Sequence, residues 1–132
     1  MPEDNENLEE TPNATIPVSS SILNSIKLML DLIPENKEFD EVIIIHINSA
    51  FFTLQQLGVG PLEGFTIKDE STTYEDYLGE GSILIAPVKT YLYMKTKIGF
   101  DNTISGTLKD SLKEMIKEAE VRFLYQVDTL ES

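Results

Sequence analysis

His46 is the only histidine in the 132 residues, and cysteine is absent. A multi-histidine metal centre therefore has no ligand set within the chain, and thiol nucleophiles, disulfides and thiolate metal sites are removed together. On a helix, His46 has Val42 and Ala50 one turn away and no carboxylate at metal-binding spacing. We read it as a half-buried, hydrogen-bonded imidazole rather than a catalytic base. Glu75 and Asp76 are adjacent and face different directions. With 23 acidic residues in the chain, chance pairs are expected and no general acid/base pair stands out. None of the serines sits in a nucleophile elbow. Gly58, Gly60 and Gly64 invite a phosphate-loop reading, but no Gly-Lys-Ser/Thr ending follows and no strand precedes them. They read as a connector. The chain is thus expected to be a non-enzyme, with no cofactor and no metal.

The formal charge is −13, from 23 Asp plus Glu against 10 Lys plus Arg. Such a surface repels phosphate backbones, and the bases do not cluster strongly, so nucleic-acid and anionic-membrane binding are disfavoured. Lys27, Asp31, His46, Lys89 and Lys95 interrupt every candidate membrane span. The acidic N-terminus is the reverse of a secretory signal, so manufacture and use without export are expected.

The elements that must carry these residues centre on Glu38 to Pro61. Ile43, Ile47, Ala50, Leu54 and Leu57 fall at i, i+4, i+7, i+11 and i+14, one face of a helix. Ile44, Ile45, Phe51 and Phe52 lie off that stripe, so this helix is expected to be the central one, with neighbours on more than one side. Asp40 and Glu41 suit its first turn, and Gly58 its left-handed cap. Before it, Ser19, Ser20 or Ser21 caps a helix with a stripe at Ile22, Ile26, Met29 and Ile33 that ends before Pro34. The short link makes these two helices an antiparallel or sharply angled pair, read as the foundation of the fold. Beyond Gly58, Phe65 and Ile67 share one face of an extended segment, with Lys68, Asp69 and Glu70 as a charged tip. Thr72 or Thr73 caps a short helix stopped by Gly79 and Gly81. A helix beginning near Ile85 or Ala86 tolerates Pro87 in its first turn. Ser105 or Thr107 opens the last helix, with a stripe at Leu108, Leu112, Met115, Ala119, Phe123 and Val127. Its Lys109, Lys113 and Lys117 alternate with Asp110, Glu114 and Glu118, a solvated face with local i, i+3 and i, i+4 pairs.

The expected fold is all-α: a small bundle of about four main helices plus a short one, as a single domain over residues 19–132. Residues 1–18, acidic and proline-bearing, form an arm that is disordered, or extended where Ile16 and Val18 lie along a neighbouring surface. Tyr91 belongs to the apolar face of its helix, whereas Tyr93 and Tyr125 divide evenly between packing and interface roles. Ile45 is either core or subunit contact. Val121, Leu124, Tyr125 and Leu130 exceed what one helix face needs, and Leu124 to Ser132 reads as a segment ordered by a partner.

The motifs Phe39-Asp40, Ile47-Asn48-Ser49-Ala50 and Leu54-Gln55-Gln56-Leu57-Gly58-Val59-Gly60-Pro61 resemble the small helical head-to-tail connector (adaptor) proteins of long-tailed phages and prophages. Gly64-Phe65, the segment TYEDYL from Thr73, Val88 to Lys95, Phe100-Asp101 and the final amphipathic helix extend the resemblance in the same order, over roughly Ser21 to Val127. Where family members often place prolines after Phe100-Asp101, Asn102-Thr103-Ile104 stands here. The resemblance implies a virion protein of the head-tail neck, made and assembled in the host cytoplasm. It implies a homo-oligomeric ring, typically twelve-fold, beneath the portal protein, offering a surface to a stopper or tail-completion protein. DNA would pass through without specific binding. On this reading Leu124, Tyr125 and Leu130 contact the portal, Tyr93 and Ile45 contact neighbouring subunits, and Lys68, Asp69 and Glu70 face the lumen or the stopper. The rival reading is a small acidic helical inhibitor or DNA mimic that binds a basic host protein.

Both readings share one expectation. Because a surface of this charge gains nothing from counterion release, a gel-shift titration with duplex DNA at physiological salt should show no retained complex. Retention that weakens as salt is added would contradict the charge argument.

Overall fold

The computed structural model describes residues 16–131, with five α-helices and no strand among them. They are α1 (Ile22–Met29), α2 (Asp40–Gln56), α3 (Tyr74–Leu78), α4 (Ile85–Phe100) and α5 (Gly106–Glu131). Residues 1–15, which make up most of the expected arm, lie outside the described residues. Of its remainder, Ile16 and Val18 are exposed, and Ser20 and Ser21 N–H donate to the Pro17 carbonyl in a turn.

The hub is α4, and not α2. Val88, Tyr91, Leu92 and Met94 are buried on two sides of α4, and it packs against each of the other four helices. The expected stripe of α2 does form core: Ile43, Ile47, Ala50 and Leu54 are inaccessible, joined by Phe51 from outside the stripe, with Leu57 partly buried. The opposite side of α2 has no neighbour in the fold, and Ile45 and Phe52 remain 65% and 62% exposed.

Two helix ends close with the same motif. After α2, Gly58 takes φ +89°, its N–H donates to Gln55 O, and Val59 N–H reaches back to Leu54 O at 2.9 Å. After α1, Asp31 takes φ +66°, Asp31 N–H donates to Leu28 O and Leu32 N–H to Lys27 O. Each is a Schellman cap, which satisfies the last carbonyls through one left-handed residue. Asp31 ends α1 about a turn before Pro34, so Ile33 is exposed, Met29 is partly so, and Leu23 and Leu30 take their places in the core. In α5 the buried stripe runs Leu112, Ile116, Phe123, with Ala119 and Val127 partly buried, while Leu108 and Met115 are half exposed. Ile116 lies nearer the middle of that stripe than Met115 does.

Between α1 and α2 the turn is gathered around a buried ammonium group. Lys27 is 1% exposed; its Nζ donates to Pro34 O at 2.8 Å and Asn36 O at 2.7 Å. It also sits 2.7 Å from Asp40 Oδ1, close enough for charge pairing but outside hydrogen-bond alignment. The carbonyls therefore supply direction and the carboxylate neutralises the charge. At the α4–α5 corner, Asp101 accepts from Thr103 N–H at 2.9 Å and Thr103 Oγ1 at 2.6 Å, and Lys97 Nζ reaches it at 3.0 Å. These bonds hold its pKa down at about 2, with the Thr103 hydroxyl contributing most. A side-chain turn thus forms this corner without a proline.

Lys27→Met keeps the apolar stem but leaves two carbonyls and a largely buried carboxylate without their partner. Breaking a buried pair in this way costs on the order of 3 to 5 kcal/mol. Urea denaturation of the variant should show a midpoint lowered accordingly with an unchanged slope.

Candidate functional site

The segment from Gly58 to Thr72 has almost no secondary structure, yet it is fixed up to Ile67 by side chains of α2 and α3 and beyond that by the start of α1. Asn48 presents both ends of its amide to one loop residue: Oδ1 accepts from Ile67 N–H at 2.8 Å and Nδ2 donates to Ile67 O at 3.1 Å. About two turns later, Gln55 Nε2 donates to Leu62 O at 2.9 Å. Phe65 enters an aromatic cluster with Phe51 and Tyr77, whose centroids lie 4.6 to 5.3 Å apart. The Tyr77 hydroxyl donates to Val59 O at 3.3 Å, and burial raises its pKa. Gly60 lies against the face of that ring. A Cβ there would stand 2.5 Å from Tyr77 Cε1, and φ is +86°. Only glycine satisfies both conditions.

The far end of the loop is sewn to the start of α1. Ser21 Oγ accepts from Asn24 N–H as the α1 cap and donates to Glu70 O at 2.7 Å. Ile22 N–H donates to Thr72 O, and Tyr74 N–H to Ser20 O. Thr73 and Asp76 then form a reciprocal capping box on α3. Tyr74 bonds Ser25 at 2.6 Å within the core, and burial pushes its pKa up to about 12 against that bond. Lys89 Nζ stands over the Tyr74 ring at 4.9 Å and donates to Ser19 O.

What this bracing presents is the expected tip. Lys68, Asp69 and Glu70 are all exposed. Asp69 accepts from the Ser71 hydroxyl and amide, which hold its carboxyl below the usual range, and Glu70 pairs with Lys37 at 3.4 Å across a solvated gap. The remaining expected contact residues lie elsewhere. Ile45 projects from the outer side of α2 along with Phe52, whereas Tyr93 is partly buried against the core. Leu124 and Tyr125, the latter 71% exposed, project from α5, and the side chain of Leu130 lies outside the described residues. The structure thus separates three surfaces: loop tip, outer α2, and the end of α5. It corrects the expectation that the chain from Leu124 onward is ordered only by a partner. Helix α5 continues to Glu131, and Val127 packs on the core beside Gly58. Ser132 is outside the described residues.

His46 is half-buried as expected, but its role is packing. Among the described residues no hydrogen bond reaches the imidazole; instead it fills the space above Gly99, where any side chain would collide with the ring. Tyr91 is core, its hydroxyl donating to Glu120 Oε2 at 2.7 Å, so burial and the carboxylate both raise its pKa. The expected ladder of ion pairs along α5 reduces, among the described residues, to Arg122 with Glu118 at 3.5 Å. No three His, Cys, Asp or Glu converge as a metal site among the described residues, and no described helix is long and apolar enough to cross a membrane.

The described residues thus form an all-helical scaffold whose polar side chains are spent on holding a loop. Residues 22–129 match the phage connector protein family, and the chain belongs to that family. The match spans α1 to α4, the braced loop and all but the last two residues of α5. Membership makes it a structural component of a phage particle. Neither a curated protein nor a solved structure gives a significant match.

Removing the Asn48 amide leaves the Ile67 N–H and C=O without their partners at a buried residue, a loss of about 1 to 3 kcal/mol. Asn48→Ala should therefore lower stability by that amount. In hydrogen exchange, the Ile67 amide should lose protection while the amides of α2 keep theirs.

Proposed function

We propose that the protein is a head-to-tail adaptor, joining the DNA-filled head to the stopper or tail as a ring beneath the portal protein. The single observation that carries this reading is the family match over residues 22–129. The arrangement of surfaces supports it. A subunit within a ring needs one surface for its neighbours and others for the components above and below. The exposed Ile45 and Phe52 on outer α2 suit the first need, since apolar surface without a neighbour in the fold favours contact with another chain. The partly buried Tyr93 contributes less to such a contact.

For the portal we assign Leu124 and Tyr125, with Leu130 beyond them on the same helix. They belong to an already formed helix, so binding orders few backbone residues and its entropy cost is small. The tip Lys68-Asp69-Glu70 faces the lumen or the stopper. The −13 charge suits a conduit through which DNA moves without adhering. In this reading the chain acts by shape and attachment alone, within the virion neck.

DNA-filled heads that carry a portal but lack this protein provide the test. Added wild-type protein should bind as a closed ring, visible by electron microscopy at the portal vertex. The double variant Leu124→Asp, Tyr125→Asp changes exposed positions, so it should keep the wild-type melting temperature and lose attachment by at least tenfold, roughly 1.4 kcal/mol. Equal attachment of the variant would remove the portal role from the α5 surface, and failure of the wild type to bind any portal would remove the adaptor reading itself.

A further inference from the structure

Positive charge gathers at one place in this acidic molecule. An open groove of ≈ 750 Å³ between α2, α4 and α5 is lined by Lys95, Lys113, Lys117 and His46, with Asp110 and Glu114 also facing it. Gly99 gives the groove its depth, because a side chain there would meet the His46 ring. Of the seven cations elsewhere, four are matched, Lys27 with Asp40, Lys37 with Glu70, Lys97 with Asp101 and Arg122 with Glu118, while Lys68, Lys89 and Lys109 have no ion pair among the described residues and lie singly on the loop, α4 and the start of α5. Among the described residues no carboxylate lies within ion-pair range of Lys95, Lys113 or Lys117. Asp110 and Glu114 stand three residues before Lys113 and Lys117, a spacing at which pairs can form on a helix, yet none forms. Three ammonium groups thus face one groove without close neutralisation from their own surroundings.

The chain itself carries a ligand of matching chemistry. Residues 1–15 hold Glu3, Asp4, Glu6, Glu9 and Glu10, no Lys or Arg, and besides Met1 one large aliphatic side chain, Leu8. They join the described chain at Ile16, and the nearby Ser19 carbonyl is held on α4 by Lys89. Fifteen residues span up to about 50 Å when extended. The distance along α4 from Lys89 to Lys95 is about 9 Å, so reach does not limit the segment. We propose that the acidic N-terminal segment seats in this groove of its own chain, its carboxylates opposite Lys95, Lys113 and Lys117. Each exposed pair is weak by itself. Tethering offsets that weakness, because a short linker holds the segment at an effective concentration on the order of millimolar. The seat is electrostatic and therefore empties as salt screens it. This inference stands apart from the adaptor reading and survives or fails independently of it.

Amide spectra of the ¹⁵N-labelled full chain and of a chain beginning at Ile16 test it. Every described helix and core residue lies within the retained part. At low salt the Ser49 and Gly99 resonances should differ between the two proteins, and at high salt they should coincide. A synthetic peptide of residues 1–15 added to the shortened chain should restore the full-length positions saturably, and a peptide with its five acids changed to amides should not. Lys113→Gln with Lys117→Gln, both exposed positions, should bring the full-length Gly99 resonance to the position seen in the shortened chain. Coincident low-salt spectra, changes confined to residues away from the groove, or full-length shifts that vary with protein concentration would each overturn the proposal. The double-lysine variant gives the same decision should the shortened chain fail to fold.

Discussion

The burial of α4 on both of its sides is the constraint on which the architecture rests. Val88 and Leu92 face one way and Tyr91 and Met94 another, and all four are inaccessible or nearly so. Because α1, α2, α3 and α5 each pack on it, none of them needs a complete apolar circumference, and each keeps one side free. That arrangement leaves polar side chains on α2 available for holding the loop, and leaves outer α2 and outer α5 free for other molecules. Lys27 extends the same economy to the α1–α2 turn. One buried ammonium group bonds two carbonyls and faces one carboxylate, fixing a connection too short to carry a core of its own.

Most of the helical layout was legible in the sequence because the signals are local. The caps, narrowed to Ser19 to Ser21, to Thr72 or Thr73 and to Ser105 or Thr107, the left-handed stop at Gly58 and the tolerated Pro87 all follow from chemistry within one turn. The end of α1 was not legible. Its left-handed position is held by Asp31, and an aspartate adopts that conformation less readily than glycine, so nothing local distinguishes it from an ordinary helical residue. Periodicity also left Met115 and Ile116 unresolved, since adjacent apolar residues fit the same stripe until a partner helix selects one. The identity of the hub was hidden for a related reason. The run from Asp40 to Gln56 is the more apolar over most of its circumference, but Ile45 and Phe52 make it so by facing outward, where apolar content is no measure of burial within the fold.

The loop-holding site shows the same division. Phe65, Ile67 and the charged tip could be placed from alternation in an extended segment. The side chains that hold them could not, because Asn48 and Gln55 are ordinary polar residues on a helix until the loop folds back over them. Their place within the motif that resembles the connector family was the available sign. Lys27, likewise, read only as a charge interrupting an apolar run. A buried lysine is rare enough that exposure is the default reading of any one, and its carbonyl partners lie in a turn whose path the sequence does not give.

The bonds that brace the loop have a further consequence for how such a protein can change. Asn48 grips the main chain of residue 67, Gln55 that of residue 62, Tyr77 that of residue 59 and Ser21 that of residue 70. None of these grips depends on which side chain the loop residue carries. Shape and vocabulary are therefore largely uncoupled at the tip: positions 68 and 70 are free to acquire a different charge, while Asp69, whose carboxylate bonds the Ser71 amide and hydroxyl, keeps the turn between them. A lineage that meets a new counterpart can rewrite those few letters without renegotiating the fold beneath them.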